Sequence, residues 1–267
     1  MKKSAYIALA SLLFASCHGN DAPDQGDDPV PVASTVKNIS YNVISEYPHD
    51  TSSYTEGLEF YKGKLYESGG DFISSRLQFG DAKTGKVEKQ HMMGTADIFG
   101  EGITVLNGKL YQLTWTTNVV YVYDVNDISK PIKTFTWPYQ GWGMTNNGKD
   151  LIIDTGGADL YFVDPETFKV KSTVHVHDDN GPIEQINELE WVDGMIWANI
   201  FLTRDIIKIN PETGAVVGKM NFNSLLDPKD SIPGRTDVLN GIAYDSTAKT
   251  LYITGKRWPK MYELKLN

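Results

Sequence analysis

Five segments of this chain repeat one pattern: a glycine or polar residue, a short apolar run, a turn, and a second apolar run. They are Gly57-Leu-Glu-Phe-Tyr-Lys-Gly-Lys-Leu-Tyr-Glu-Ser68, Gly102-Ile-Thr-Val-Leu-Asn-Gly-Lys-Leu-Tyr-Gln-Leu113, and residues 143–154, 188–199 and 241–254. Their starts lie 45, 41, 45 and 53 residues apart. Each of the first four is followed by another pair of runs around a turn rich in Pro, Asn, Asp and Gly, as at Leu160–Val163, Asp164–Thr167 and Phe168–Val174. Four short strands in about 45 residues make one blade of a β-propeller. The sequence therefore predicts an all-β fold: a five-bladed β-propeller with four-stranded antiparallel blades and no substantial helix. The fifth repeat stops at Leu266 without an outermost strand, while Lys37–Ser45 is a strand-like run with no place in the first repeat. Pairing the two closes the ring and removes an open edge.

In a propeller the innermost strands surround one axis, so equivalent positions of all blades converge. The position before each repeat start holds Glu56, Glu101, Trp142, Asn187 and Asn240. The position at the end of each second strand holds Gly70, Trp115, Gly156, Phe201 and, after a longer turn, Lys256. Convergent polar groups beside aromatic walls are what a small-molecule site requires. Two carboxylates near aromatic side chains also suit proton transfer.

At the N-terminus, Lys2 and Lys3 precede an apolar stretch from Ala5 to Ala15, and small Ala15 and Ser16 precede Cys17, the only cysteine. Residues 1–16 read as a lipoprotein signal peptide, too short to span a bilayer. Cys17 reads as the lipidated residue, since no second cysteine exists to pair with it. Residues 17–35, rich in Asp, Pro, Gly and Ser, read as a flexible tether. Residues 36–267 are the expected folded domain. A net charge of −9 argues against a nucleic-acid partner. His175 and His177 alternate along one strand with no third ligand nearby, and read as a solvated face rather than a metal site. Trp137, Trp191, Trp197 and Trp258 read as packing between blades.

Tyr54-Thr-Glu-Gly57, Phe99-Gly-Glu-Gly102, Gln112-Leu-Thr-Trp115, Gly141-Trp-Gly143, Asn187-Glu-Leu-Glu190, Leu239-Asn-Gly241 and Gly255-Lys-Arg-Trp-Pro-Lys260 stand in order along the chain. In these and four weaker motifs the sequence resembles the plant and bacterial glutamine cyclotransferases. The resemblance implies a metal- and cofactor-free enzyme that turns the N-terminal glutamine of peptides or proteins into pyroglutamate and ammonia. It implies Glu101 as general acid/base. It implies a substrate pocket of Tyr54, Glu56, Trp115, Trp142, Asn187, Phe201 and Lys256, with Asn187 and Lys256 on the amide oxygen. Two positions depart from the family pattern, with Glu56 for Gln and Phe201 for Trp. Together with the N-terminal reading, it implies a monomer held by its lipid in a bacterial cell envelope, on the periplasmic side or outer membrane. Two other classes fit the axial residues: a metal-dependent, lactonase-like propeller hydrolase using Glu56, Glu101, Asn187 and Asn240, and a non-catalytic binding propeller of the envelope.

Overall fold

The computed structural model describes residues 36–94 and 97–267. Residues 1–16, Cys17 and the tether of 17–35 expected above lie outside the described residues.

The fold is the expected five-bladed propeller. The innermost strands are Thr55–Tyr61, Gly100–Leu106, Met144–Asn146, Ile186–Val192 and Leu239–Asp245. They touch one another in that order, and the fifth returns to the first. Each pairs antiparallel with a second strand: Lys64–Gly69, Lys109–Thr114, Leu151–Ile153, Met195–Ile200 and Thr250–Gly255. Third and outer strands complete every sheet. In three blades the first hairpin is a two-residue turn, at Lys62-Gly63, Asn107-Gly108 and Asp193-Gly194, with positive φ at both residues. That conformation matches the right-handed twist of the flanking strands and favours glycine at the second position. Among the described residues the helical content is one turn of 3-10 helix, Pro228–Asp230.

Ring closure uses the N-terminal segment, with one difference from expectation. Tyr41–Pro48 is the outer strand of blade 5, where Tyr41 pairs with Leu266 and Pro48 with Lys260. Lys37–Asn38 instead runs parallel to the outer strand of blade 4, opposite Gly218 and Lys219. The stretch read as one strand is therefore two, and the chain crosses from blade 4 to blade 5 between Asn38 and Tyr41.

The apolar core is divided among the seams. One cluster lies between each pair of neighbouring blades, holding Trp137 in the seam of blades 2 and 3, and Trp197 and Trp258 in that of blades 4 and 5. These three indoles are fully buried, and Trp191 packs partly buried in the seam of blades 3 and 4. The smallest cluster is where the ring closes, between blades 5 and 1: Leu58, Ala82, Ala243, Tyr252 and Met261. There a polar network supplements the apolar one. Glu67 accepts hydrogen bonds from Ser53 at 2.5 Å, Thr55 at 2.7 Å and Gln78 at 2.9 Å. His49, just past the outer strand of blade 5, places Nε2 3.1 Å from Glu67 Oε1 and Nδ1 2.8 Å from the Trp258 carbonyl. Both ring nitrogens face acceptors, an arrangement that favours the doubly protonated imidazolium.

Candidate active site

Four inner strands carry a β-bulge at the same place: between Thr55 and Gly57, Gly100 and Ile103, Ile186 and Leu189, and Leu239 and Ile242. Glu56, Glu101, Asn187 and Asn240 sit in those bulges. A bulge breaks the strict alternation of a strand and re-aims the extra side chain, here toward the axis. In blade 3 the corresponding Trp142 precedes its short strand, where Gly102 donates to its carbonyl at 2.8 Å.

The result is a cavity of 570 Å3 at one mouth of the propeller, lined by Tyr54, Glu56, Glu101, Trp115, Trp142, Asn187, Phe201 and Lys256. All eight residues expected at the site thus surround one space. Asn240 lies behind Glu56, its Nδ2 3.3 Å from Glu56 Oε2. The glycines of the second ring make room for aromatic neighbours. A Cβ on Gly156 would stand 2.8 Å from the Trp142 ring, and one on Gly70 would stand 2.2 Å from Phe99.

The floor is charged and buried. Glu56, Glu101, Asn187 and Lys256 are all less than 7% exposed. Lys256 Nζ bonds Glu56 Oε1 at 2.7 Å and lies over the faces of Tyr54 and Phe201, at 4.6 and 5.2 Å from their centroids. Lys256 is therefore a partnered ammonium with donors to spare, not a free cation. Glu56 is its counter-ion. Burial, only partly offset by Lys256, raises the Glu56 carboxyl to about 7. Glu101 has no side-chain hydrogen bond among the described residues. Burial first, then repulsion from Glu56 and from Asp154, lifts it well above the ordinary carboxylate range, against the opposing pull of Lys256. The buried Asn187 Oδ1 likewise has no partner, which in a binding site is the mark of a group awaiting a ligand. Of the four axial residues weighed as a cation site, Glu56 is bonded to this lysine and Asn240 to Glu56.

The walls are aromatic. Phe99 stands edge-on to Tyr54, at 6.2 Å, and to Trp115, at 5.6 Å, while Trp142 meets Phe201 at 5.6 Å. Trp115 and Trp142 donate their indole N–H groups to one acceptor, Gln140 Oε1, at 3.0 and 3.2 Å. That shared oxygen couples two walls from different blades. Asp154, buried under Trp142, accepts the N–H groups of Gly143 and Gly156, each at 2.9 Å, and so sets the backbone on either side of the indole.

Sequence reasoning did not single out Asp71, Phe72, Ile73, Phe99 and Arg257, which also line the cavity, nor Gln140 and Asp154. A third register would have found two of them. Three residues before each repeat start stand Tyr54, Phe99, Gln140, Gln185 and Val238. Asp71, Phe72 and Ile73 belong to the turn between the second and third strands of blade 1, residues 70–75, which is longer than its counterparts in the other blades, so the repeat provides no template for its extra residues.

The glutamine cyclotransferase family model matches residues 8–266. A glutaminyl-peptide cyclotransferase of Arabidopsis thaliana is 38% identical over 229 residues, which are 84% of this chain and 70% of that protein. The crystal structure of a glutaminyl cyclase from Myxococcus xanthus superposes with a TM-score of 0.79 at 31% identity, covering 87% of this chain and 98% of that one.

Proposed function

This chain belongs to the glutamine cyclotransferase family, and from that premise we propose that it cyclises the N-terminal glutamine of peptides to pyroglutamate, with Glu101 as general acid/base. The observation that carries the assignment of Glu101 is its setting. It is a buried carboxyl with no hydrogen bond from the described residues, held at elevated pKa in a cavity walled by Trp115 and Trp142. In the reaction the neutral α-amine attacks the side-chain amide carbon, forming the ring C–N bond and placing negative charge on the amide oxygen. The ionised Glu101 carboxylate takes the proton that the amine sheds. It then gives that proton to the amide nitrogen, which leaves as ammonia when the old C–N bond breaks. A carboxyl with a pKa moved toward neutrality serves both steps better than an ordinary one. Lys256 has ammonium protons left beyond its bond to Glu56, and Asn187 carries an amide N–H donor. These donors are assigned to the developing oxyanion, where charge-directed hydrogen bonds count for most. Trp115, Trp142, Phe201 and Tyr54 exclude water and hold the short side chain.

The test is to incubate the protein with a short peptide beginning with Gln and to follow ammonia release and the loss of one NH3 from the peptide mass. Turnover is expected without added metal or cofactor, and a folded protein that leaves the peptide intact would sink the reading. The acid limb of the pH–rate profile should reflect Glu101, because only its carboxylate accepts the amine proton. Glu56→Gln removes a like charge and frees Lys256, and both changes favour the charged form of Glu101. The acid limb should therefore move to lower pH than in the unaltered enzyme. The substrate amine titrates identically with both proteins, so an unmoved limb would remove Glu56 from the electrostatics of the site.

We further infer that the protein is an exported monomer, anchored in a bacterial envelope by a lipid on Cys17. Lys2, Lys3, the apolar stretch of residues 5–15 and the small residues before Cys17 support this reading. Among the described residues no helix is long and apolar enough to cross a membrane.

A further inference from the structure

The cavity above Glu101 is larger than a glutaminyl residue needs. Its 570 Å3 lies within the ~300–1,000 Å3 of pockets that hold drug-sized ligands, whereas the group to be cyclised is a carboxamide on two methylenes. The deep part is charged and polar. The outer part over blades 1 and 2 is apolar, and its rim is the turn between the second and third strands of blade 1. Phe72 packs against Phe99 at 5.2 Å and Trp115 at 6.1 Å. Ile73, beside it, is 91% exposed, yet it lines the cavity.

The turn that carries these two side chains is tied down. Asp71 Oδ1 accepts from the N–H groups of Ile73 at 2.6 Å and Ser74 at 3.3 Å, and its carbonyl accepts from Ser75 at 3.0 Å. Its other carboxylate oxygen meets Arg257 of blade 5 at 3.4 Å. A large aliphatic side chain held in water on an anchored turn stabilises nothing in the free protein. At the mouth of a cavity, such apolar surface marks a place that a ligand covers.

We propose that Phe72 and Ile73 form a subsite for the residue that follows the N-terminal glutamine, and that this subsite selects a large apolar side chain. The inference rests on the cyclisation reading. An α-amine delivered to Glu101 meets the inner strand of blade 2, so the adjoining Cα and peptide bond leave the cavity over the Phe99 and Trp115 wall. The second side chain then comes down on Phe72 and Ile73. A glycine in that place leaves the apolar rim wet, and its contact energy is not available to hold the amine near the amide carbon.

The experiment compares kcat/KM for Gln-Leu amide and Gln-Gly amide with the unaltered protein, Ile73→Ser and Leu202→Ser. Leu202 is 70% exposed beside Phe201 on blade 4 and is not part of the cavity lining, so it controls for general loss of apolar surface. Ile73 is so exposed that its replacement removes no packing, and equal melting temperatures will verify this. The unaltered protein should prefer Gln-Leu by roughly ten- to a hundred-fold, the discrimination an apolar pocket achieves. Ile73→Ser should shrink that ratio several-fold, and Leu202→Ser should leave it in place. A flat ratio in the active unaltered protein, or one that responds to Leu202 and not to Ile73, would overturn the subsite. Failure to turn over either peptide would overturn the cyclisation reading itself, and the subsite with it.

Discussion

Glu101→Gln is expected to lower kcat by about 10²–10⁴-fold, the usual contribution of a positioned acid/base group, without lowering the melting temperature. The two outcomes have one cause. Glu101 is buried beside a second carboxylate and receives no hydrogen bond from the described residues, so the fold gains nothing from its charge. An amide of the same shape keeps the contacts with the aromatic walls, removes the repulsion from Glu56 and cannot accept the proton. The folded state should be as stable as before or slightly more so, as is common where a site works against the stability of its scaffold. Steady-state ammonia release and a thermal melt on the same sample test both halves. Retained turnover would move the base elsewhere, and a collapse in stability would make Glu101 a structural residue.

Glu67→Gln should have the opposite signature, costing about 3–5 kcal/mol of stability, as breaking one half of a buried ion pair does. Glu67 and His49 are 7% and 5% exposed in their side chains, in the seam with the smallest apolar cluster. The substitution leaves the imidazolium without a counter-ion and turns an amide N–H2 toward groups that are themselves donors. The loss should depend on pH in a defined way. Burial alone raises Glu67, but His49 and the hydroxyl donors outweigh it and bring the carboxyl to about 2 from an ordinary 4.5. Its contribution is thus complete above pH 4.5 and fades as pH falls toward 2. Burial lowers His49, but Glu67 and the Trp258 carbonyl outweigh it and raise the ring above its ordinary 6.5. Its contribution is complete below pH 6.5 and fades as pH rises through the folded value. The difference between the two proteins should be widest between pH 4.5 and 6.5, and denaturant titrations at pH 5.5 and 9 would measure it. Equal stabilities at pH 5.5 would mean that apolar contacts alone hold the closing seam.

The parts of the molecule legible in the sequence are those that recur. The blade count follows from five copies of one hairpin pattern, and Glu56, Glu101, Asn187 and Asn240 could be gathered by register because each occupies the same bulge. What was not legible is what each blade does once. Lys256 and Glu56 are 200 residues apart, and only the distance between blades 1 and 5 makes them partners. The sequence therefore offers the lysine as a substrate ligand without its counter-ion. The turn carrying Phe72 and Ile73 is longer than the corresponding turns of the other blades, and its extra residues fall outside the repeat. At the N-terminus, Lys37 and Asn38 carry no apolar alternation that would assign them to blade 4. Gln140 shares a register with Tyr54 and Phe99, but its role depends on its place between two indoles of different blades, which no register shows.

Closure of the ring by Tyr41 against Leu266 also sets a timetable. Contacts this distant in sequence form late, because the loop entropy of nearly the whole chain must be overcome before they are rewarded. While the chain is being made, single hairpins can form, but Tyr41–Pro48, made first, has no strand to pair with until blade 5 follows, and the seam joining His49, Glu67 and Trp258 has no second side. The cavity, which draws Lys256 from blade 5 and Glu56 from blade 1, cannot be assembled until those two blades meet. A pocket that straddles the closing seam is thus a late product of folding, and activity reports that the ring has closed.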